Sequence, residues 1–403
     1  MKIAFFTECY TPVINGVVTS IMTLRAGLIA AGHEVHIVAP GPPQPDDDPL
    51  IHRVPALPFP RHPYRFARPF PRLQPEFDEL GIELIHCHHP FTMGRLGAEA
   101  AYRLDLPLVY TAHSLYDNMV QYSRSKVMRT VGRKAARGVV RRFCARADYV
   151  IVPSYNTRTA LQEDGVVGPF MVVPSGIPGT PPSRAGRLRV RAQLGVEPDV
   201  PLLLYVGRIG PEKRVDLLLR AVAALKERDL SEPASKFLVA LVGDGQCLQD
   251  MEELAEELSI ADRLIFTGAQ PHTVIGDWYS AADLFVMPSP AETQGIVLLE
   301  AMSAGLACVA VAEGGPTEVV VPNRTGLLTP FDPEEFADAI ETLLLEPATR
   351  TQMGRAGRCL AGSYSPEAMA DGVLDVYRQA LLMGRRARGR WRTGSHFSLH
   401  RSG

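Results

Sequence analysis

Two glutamates carry the densest chemical signal in the chain. Glu292 and Glu300 lie within PSPAETQGIVLLEAMSAG (288–305), the first in a loop and the second inside a helical pattern. Gly295 lets the backbone come close to a ligand where that helix starts. Glu300 sits among Val297, Leu298, Leu299, Ala301, Met302 and Ala304, so its helix reads as buried. A buried carboxylate needs partners, and a vicinal diol offers two hydroxyl donors to its two oxygens. A ribose has that shape. The free N–H groups and dipole of the helix N-terminus at 294–297 suit a diphosphate. Taken singly, Glu300 also reads as a salt-bridged helix residue and Glu292 as a solvated loop residue. The segment as a whole favours a binding site.

Further candidates stand just after other apolar runs. In YVGRIGPEKRVDLLL (205–219), Gly207, Arg208 and Lys213 follow a strand pattern, and two cations there can neutralise a diphosphate leaving group. A pair of ordinary surface cations is the alternative. LVGDGQ (241–246), with Gly243, and FTG (266–268) close two more runs of the same half. In the first half, CYTPVINGVV (9–18) places Asn15 and Gly16 before a helix, whose N-terminus can face phosphate or an acceptor. YTAHSLYD (110–117) offers His113 and Tyr116, and residues 86–89 read His-Cys-His-His. That cluster has metal-ligand residue types. Its members alternate between strand faces, which favours a partly buried loop over a metal centre.

The elements that must hold these residues follow one rhythm. Runs at 3–6, 35–39, 82–86, 107–111, 149–153 and 170–174 are short and apolar on both faces, as buried parallel strands are. Amphipathic patterns such as 17–31 and 92–104 lie between them. The rhythm pauses at 178–200, which is rich in proline and charge. It resumes with runs at 202–206, 237–242, 263–266, 283–287 and 307–311. This predicts an α/β protein of two doubly wound domains, residues 1–178 and 195–364, with the boundary near 178–195. A helix at about 365–383 is expected to return to the first domain. The tail 384–403, rich in Arg, Gly and Ser, is expected to be disordered. Ligands of such folds bind beyond the carboxyl ends of the strands, here in one interdomain cleft.

Composition narrows the class. The 403 residues suffice for two full cores, with 46% apolar and 21% charged side chains. A net charge of −2 excludes a general polyanion binder. Six scattered cysteines without a CxxC pair point to reduced thiols in the cytoplasm. No run is long and apolar enough to span a bilayer, and the N-terminus reads as a first strand, not a signal peptide. The first strand lacks a following G-x-G-x-x-G, which counts against a dinucleotide oxidoreductase.

With these motifs in view, the chain resembles the retaining GT-B glycosyltransferases of glycosyltransferase family four along nearly its whole length. Glu292 to Glu300 resembles that family's E-x7-E motif. The resemblance implies that Glu292 lies against the donor sugar and Glu300 holds the ribose hydroxyls. It implies that the amides of Thr293, Gln294, Gly295, Ile296 and Val297 touch sugar and phosphate. Gly207, Arg208 and Lys213 resemble the donor-phosphate segment, Gly243 a nucleotide-side loop, Gly16 the N-terminal glycine loop, and His113 the histidine beside the donor sugar. Asn15, Tyr116 and His88 are then assigned to the acceptor. VVPSGIP (172–178) resembles the family's hinge, with Ser175 and Pro178 departing from its polar ends. The resemblance implies no metal and no cofactor beyond the nucleotide-sugar substrate.

Residues 123–147 hold nine cations and no acid, interleaved with valine, alanine and methionine. A basic amphipathic helix of this kind can lie on anionic lipid, although a solvated face is the commoner outcome. The opening FTECYTPVINGVVTSI and the ETQG form of the glutamate motif resemble bacterial diacylglycerol glucosyltransferases and, in plan, phosphatidylinositol mannosyltransferases. The expectation is a peripheral enzyme at the inner face of the plasma membrane, moving a hexose from UDP-glucose to a lipid hydroxyl such as that of diacylglycerol. A soluble acceptor with GDP-mannose, a nucleotide-sugar epimerase and an inactive donor-binding protein are the alternatives. No nucleic-acid module is recognised, and the sequence sets no oligomeric state.

Overall fold

A computed structural model describes residues 1–13, 15–58, 65–67, 73, 75–114 and 126–383. The first domain is built on a parallel sheet. Its strands and helices in chain order are β1 (Lys2–Phe6), α1 (Gly16–Ala30), β2 (Glu34–Pro40), β3 (Ile51–Val54), the short hairpin β4 (Ala56–Pro58) and β5 (Arg65–Ala67), β6 (Leu84–Cys87), α2 (Thr92–Leu104), β7 (Leu108–Thr111), α3 (Lys126–Cys144), β8 (Tyr149–Val152), α4 (Tyr155–Glu163) and β9 (Phe170–Val172). The strands order as β3-β2-β1-β6-β7-β8-β9. Ile3 is level with Val35 on one side and Leu84 on the other.

The second domain repeats the plan with α5 (Arg184–Leu194), β10 (Leu202–Val206), α6 (Val215–Lys226), β11 (Leu238–Val242), α7 (Leu248–Glu257), β12 (Leu264–Gly268), α8 (Ile275–Ala281), β13 (Leu284–Met287), α9 (Ile296–Ser303), β14 (Ala307–Val311), α10 (Pro316–Val319), β15 (Gly326–Thr329), α11 (Pro333–Leu345) and α12 (Pro347–Ala361), and α13 (Pro366–Leu382) follows it. The order β12-β11-β10-β13-β14-β15 is parallel throughout, with a switch point between β10 and β13.

Both central strands are apolar on both faces because helices cover both. Ile3 and Phe5 face one core layer while Ala4 and Phe6 face the other. Leu203 and Tyr205 divide from Leu202 and Leu204 in the same way. That two-residue alternation inside a continuous apolar run is the signature of a doubly covered sheet.

The helix expected to return does pack on the first sheet. Met369, Val373, Leu374 and Tyr377 of α13 share a core with Ile3, Phe5, Ile21 and Leu24. Gly27 makes the approach of α1 possible, since a Cβ there would lie 2.6 Å from the Pro366 carbonyl. The outgoing and returning crossings run side by side, with Ile177 N donating to Tyr364 O at 2.8 Å.

One boundary needs correction. The segment 178–195, read as the boundary, carries the helix α5, which belongs to the second domain. Arg187 donates to the carbonyls of Ala281 and Ala282 at the end of α8, and Arg187 and Arg191 both bind Asp283. Thr180 N already donates to Ser303 Oγ at 2.8 Å, so the second domain starts near Thr180 and not at 195. The strands β3 and β15 and the β4–β5 hairpin were not anticipated. The tail 384–403 lies outside the described residues.

Candidate active site

In the second domain the loops after β10 and β13 carry the charge. A Cβ at Gly243 would lie 1.8 Å from the Gly207 carbonyl, so glycine is what lets the loops after β10 and β11 meet. Arg208 follows Gly207 and binds Glu212 at 2.5 Å, its side chain about half exposed. Lys213 closes a short 3-10 turn, Pro211–Lys213. Arg214 next adopts a left-handed φ of 49°, unusual for a side-chain-bearing residue. It is held by two 2.9 Å bonds to Asp216 and lies over the Phe331 ring. Beside this strained corner Lys213 Nζ meets Glu292 Oε1 at 2.6 Å. Burial pushes the Glu292 carboxyl up, but the Lys213 ammonium, with Ser289 and Arg208, more than offsets this and holds it below the usual range.

Gly295, at a left-handed φ of 86°, starts α9. Helix geometry leaves the first amides, including those of Ile296 and Val297, without an intrahelical acceptor. One turn on, Glu300 is only 8% exposed. Its Oε2 accepts from the Tyr279 hydroxyl at 2.7 Å, and burial pushes its carboxyl up. Tyr279, on α8, was missed in the sequence. Nothing in its local pattern links it to a glutamate 21 positions away.

The first domain presents neutral rings. His113 follows β7 and is nearly buried, and its Nε2 lies 2.9 Å from His88 Nδ1. Burial, reinforced by neighbouring imidazoles, holds both well below the usual histidine range. His86 reaches Tyr377 Oη at 2.6 Å and Thr111 Oγ1 at 2.7 Å. His89 points the other way, to Thr7 Oγ1 and Glu8 N.

His88, expected at the acceptor, has no exposed surface and lies behind His113, because strand alternation puts it on the face of His86. Asn15 is likewise committed. Its Oδ1 caps α1 by accepting from Val18 N at 2.9 Å, and its amide donates to Cys9 Sγ. Gly16 opens α1, and beyond its own helix and chain neighbours no atom of the described residues lies within 4 Å of where a Cβ would stand. Tyr116 lies outside the described residues.

The two halves are joined through 293–294. Thr293 Oγ1 donates to His113 O at 3.0 Å, and Thr293 O accepts from Ser154 Oγ at 2.5 Å and Thr157 Oγ1 at 3.1 Å. The Gln294 side chain brackets the first crossing, accepting from Ser175 N at 2.8 Å and donating to Ser175 O at 3.1 Å. Glu318 accepts from Tyr155 N and Asn156 N at the start of α4. Position 315 must be glycine for this packing, since a Cβ would lie 2.5 Å from Gln294. Beside the clamp a cavity of about 510 Å³ is lined by Asn156, Thr159, Glu163, Glu212, Arg214 and Glu292, among others.

Of the sequence-derived set, then, Lys213 bonds Glu292 and Thr293 bonds His113, Arg208 acts on Glu292 through its charge, and Glu300 lies one turn deeper. Ser154, Thr157 and Glu318 were missed, and Ser175 was noted in the hinge without its Gln294 contact. Ser154 alone left a local trace, as an N-cap serine before α4. Among the described residues no group of three or more His, Cys, Asp or Glu converges on a metal position. No described helix is long and apolar enough to cross a membrane. The basic helix α3 is less uniformly cationic in space than in sequence, since Arg137 meets Asp164 at 3.0 Å.

Two facing doubly wound domains with cations, a helix N-terminus and a buried carboxylate at the second switch point define a GT-B glycosyltransferase architecture. Comparison with known proteins agrees. Residues 14–178 match Glycosyltransferase Family 4 and residues 187–359 match Glycosyl transferases group 1. An alpha-monoglucosyldiacylglycerol synthase of Acholeplasma laidlawii is 30% identical over 322 residues, 76% of this chain and 79% of that protein. A D-inositol 3-phosphate glycosyltransferase of Kribbella flavida is 32% identical over 332 residues, 78% and 75% of the two chains. HepE from Anabaena, solved in complex with UDP-glucose, superposes with a TM-score of 0.73 at 20% identity, covering 94% of this chain and all of that one. The chain belongs to glycosyltransferase family 4, and it is a glycosyltransferase.

Proposed function

We propose that the protein transfers a hexose, with retention of anomeric configuration, from a nucleotide-sugar to a lipid hydroxyl, with UDP-glucose as donor and diacylglycerol as acceptor. The observation that carries the reading is the Lys213–Glu292 pair, 2.6 Å apart, set across the cleft from His113. Arg208, Lys213 and the N-terminus of α9 stabilise the diphosphate as it leaves. Glu300 Oε1, the oxygen opposite the Tyr279 bond, accepts from the ribose. Glu292 and His113 hold the hexose. The sugar's C1–O bond to phosphate breaks as C1 bonds to the acceptor oxygen on the same face, and the acceptor proton passes to the departing phosphate oxygen. The protein supplies position and charge, with no covalent nucleophile and no metal. The clamp through Thr293 excludes water, the competing acceptor.

The lipid acceptor is supported by the Acholeplasma relative, a monoglucosyldiacylglycerol synthase, and by α3, whose Arg133, Lys134, Arg141 and Arg142 are exposed, as is Arg146 just beyond it. Docking of that face on anionic lipid places the cleft at the bilayer surface, on the cytoplasmic side. The inositol-phosphate relative favours a second reading, transfer to a soluble polyol. The test is product mass. Purified protein is incubated with mixed UDP- and GDP-sugars and chelator, with and without diacylglycerol vesicles. The expected product is a lipid heavier by one hexose. Donor consumption with unmodified lipid overturns the lipid acceptor, and no consumption in any arm overturns the transfer reading.

A further inference from the structure

The paired rings of His88 and His113 are not interchangeable. His86 is satisfied at both nitrogens, by Tyr377 and Thr111. His88 is satisfied at one. Its Nδ1 meets His113 Nε2 at 2.9 Å, while its Nε2 is a buried polar atom without a partner among the described residues. Both rings are neutral, because burial among other imidazoles opposes a positive charge. A neutral imidazole carries one N–H and one bare nitrogen. A single hydrogen therefore lies between the facing nitrogens, and it belongs to one ring or the other.

The two arrangements differ at the orphan. If His113 donates, His88 must bear its hydrogen on Nε2, leaving a buried N–H with nothing to receive it. If His88 donates, its Nε2 is a bare acceptor. Orphaned buried N–H groups are rarer than under-satisfied acceptors. We infer that His88 is a positioning residue that sets the tautomer of His113: His88 Nδ1–H donates to His113 Nε2, and His113 keeps its own hydrogen on Nδ1. His113 then meets a ligand as a hydrogen-bond donor fixed in orientation. Its role toward a hexose is to hold an acceptor oxygen, and it does not act as a base. This last step rests on the proposed transfer, whereas the tautomer does not.

The first test reads the tautomer directly. The full chain, labelled with 15N-histidine, is examined by long-range 1H–15N correlation, with resonances assigned through H88N and H113Q. Hydrogen on Nδ1 of both rings is expected, unchanged from pH 6 to 8. A hydrogen on His113 Nε2 overturns the inference, whether or not the enzyme transfers sugar. The second test is kinetic. Asn keeps an N–H close to the position of His88 Nδ1, and Leu removes it. H88L is expected to lose about tenfold in kcat with little change in donor KM, and H88N to recover most of it. Equal loss in both variants, with unchanged circular dichroism, overturns the inference. Where either variant folds poorly, the spectrum of the unmodified protein still decides.

Discussion

The two walls of the cleft solve opposite problems with the same fold. Behind the second wall, cations and carboxylates pair at the strand ends, as in Arg208–Glu212 and Lys213–Glu292. Behind the first, three imidazoles pack as neutral rings, bonded to hydroxyls and to each other. Ion pairs ready a surface for a multiply charged group, because they can re-pair with it at little reorganisation. Neutral donors suit hydroxyls, whose binding a fixed charge would not sharpen. A doubly wound sheet thus leaves its chemistry open, and the residues in the first turn after each strand decide it.

The largest expected effect breaks the ionic wall. Lys213→Ala removes the cation proposed to stabilise the leaving group and strands the Glu292 carboxylate. A fall in kcat of about 10²–10³-fold is expected, the range for loss of one preorganised charge stabiliser. Initial rates alongside a thermal melt separate this from unfolding, and a loss under threefold removes Lys213 from the site. Next comes Glu300→Gln. The amide oxygen still accepts from Tyr279, but the charge and one acceptor are gone. Donor KM should rise about tenfold while kcat changes little. An equal fall in kcat with KM unchanged would move Glu300 from binding to chemistry.

A third effect falls on stability and leaves the rate of transfer aside, and it concerns an acid beside the neutral wall. Glu8 accepts from Met93 N at 2.7 Å, and burial pushes its carboxyl from 4.5 up to about 7. The folded state therefore binds a proton that the unfolded state has released between those values. Stability contributed by this group is full below pH 4.5 and is lost as pH rises to about 7. Glu8→Gln keeps an oxygen for Met93 N. It should gain on the order of 2–3 kcal/mol over the parent at pH 8 and nothing at pH 4.5. Urea unfolding at both values checks this, and a gain independent of pH contradicts the shift.

Much of the ionic wall was legible in sequence because its members lie in two short segments whose spacing survives folding. Arg208 and Lys213 follow one strand, and Glu292 and Glu300 straddle one helix start. The neutral wall was harder. His88 looks like a loop residue until strand alternation places it beneath His113. Ser154 and Thr293 are 139 positions apart, and only the folded chain shows that a hydroxyl of one domain meets a carbonyl of the other. The edge strands β3 and β15 escaped because each has four residues and a polar or glycine-led sequence. The arginines of α5 gave no sign in sequence of the carbonyls at the end of α8 that receive them.

The return of α13 to the first sheet bears on how the molecule comes into being. Tyr377 bonds His86, and Val373 and Leu374 fill the layer over Ile3 and Phe5. During synthesis the earliest strands leave the ribosome with one face of their sheet uncovered. They stay so while the second domain, self-contained between its two crossings, is made and folds. The domain that begins first is thus the one that finishes last. Its neutral wall sets only when the final helix arrives, so a chain halted between the end of α12 and 366 has a complete ionic wall facing an incomplete partner.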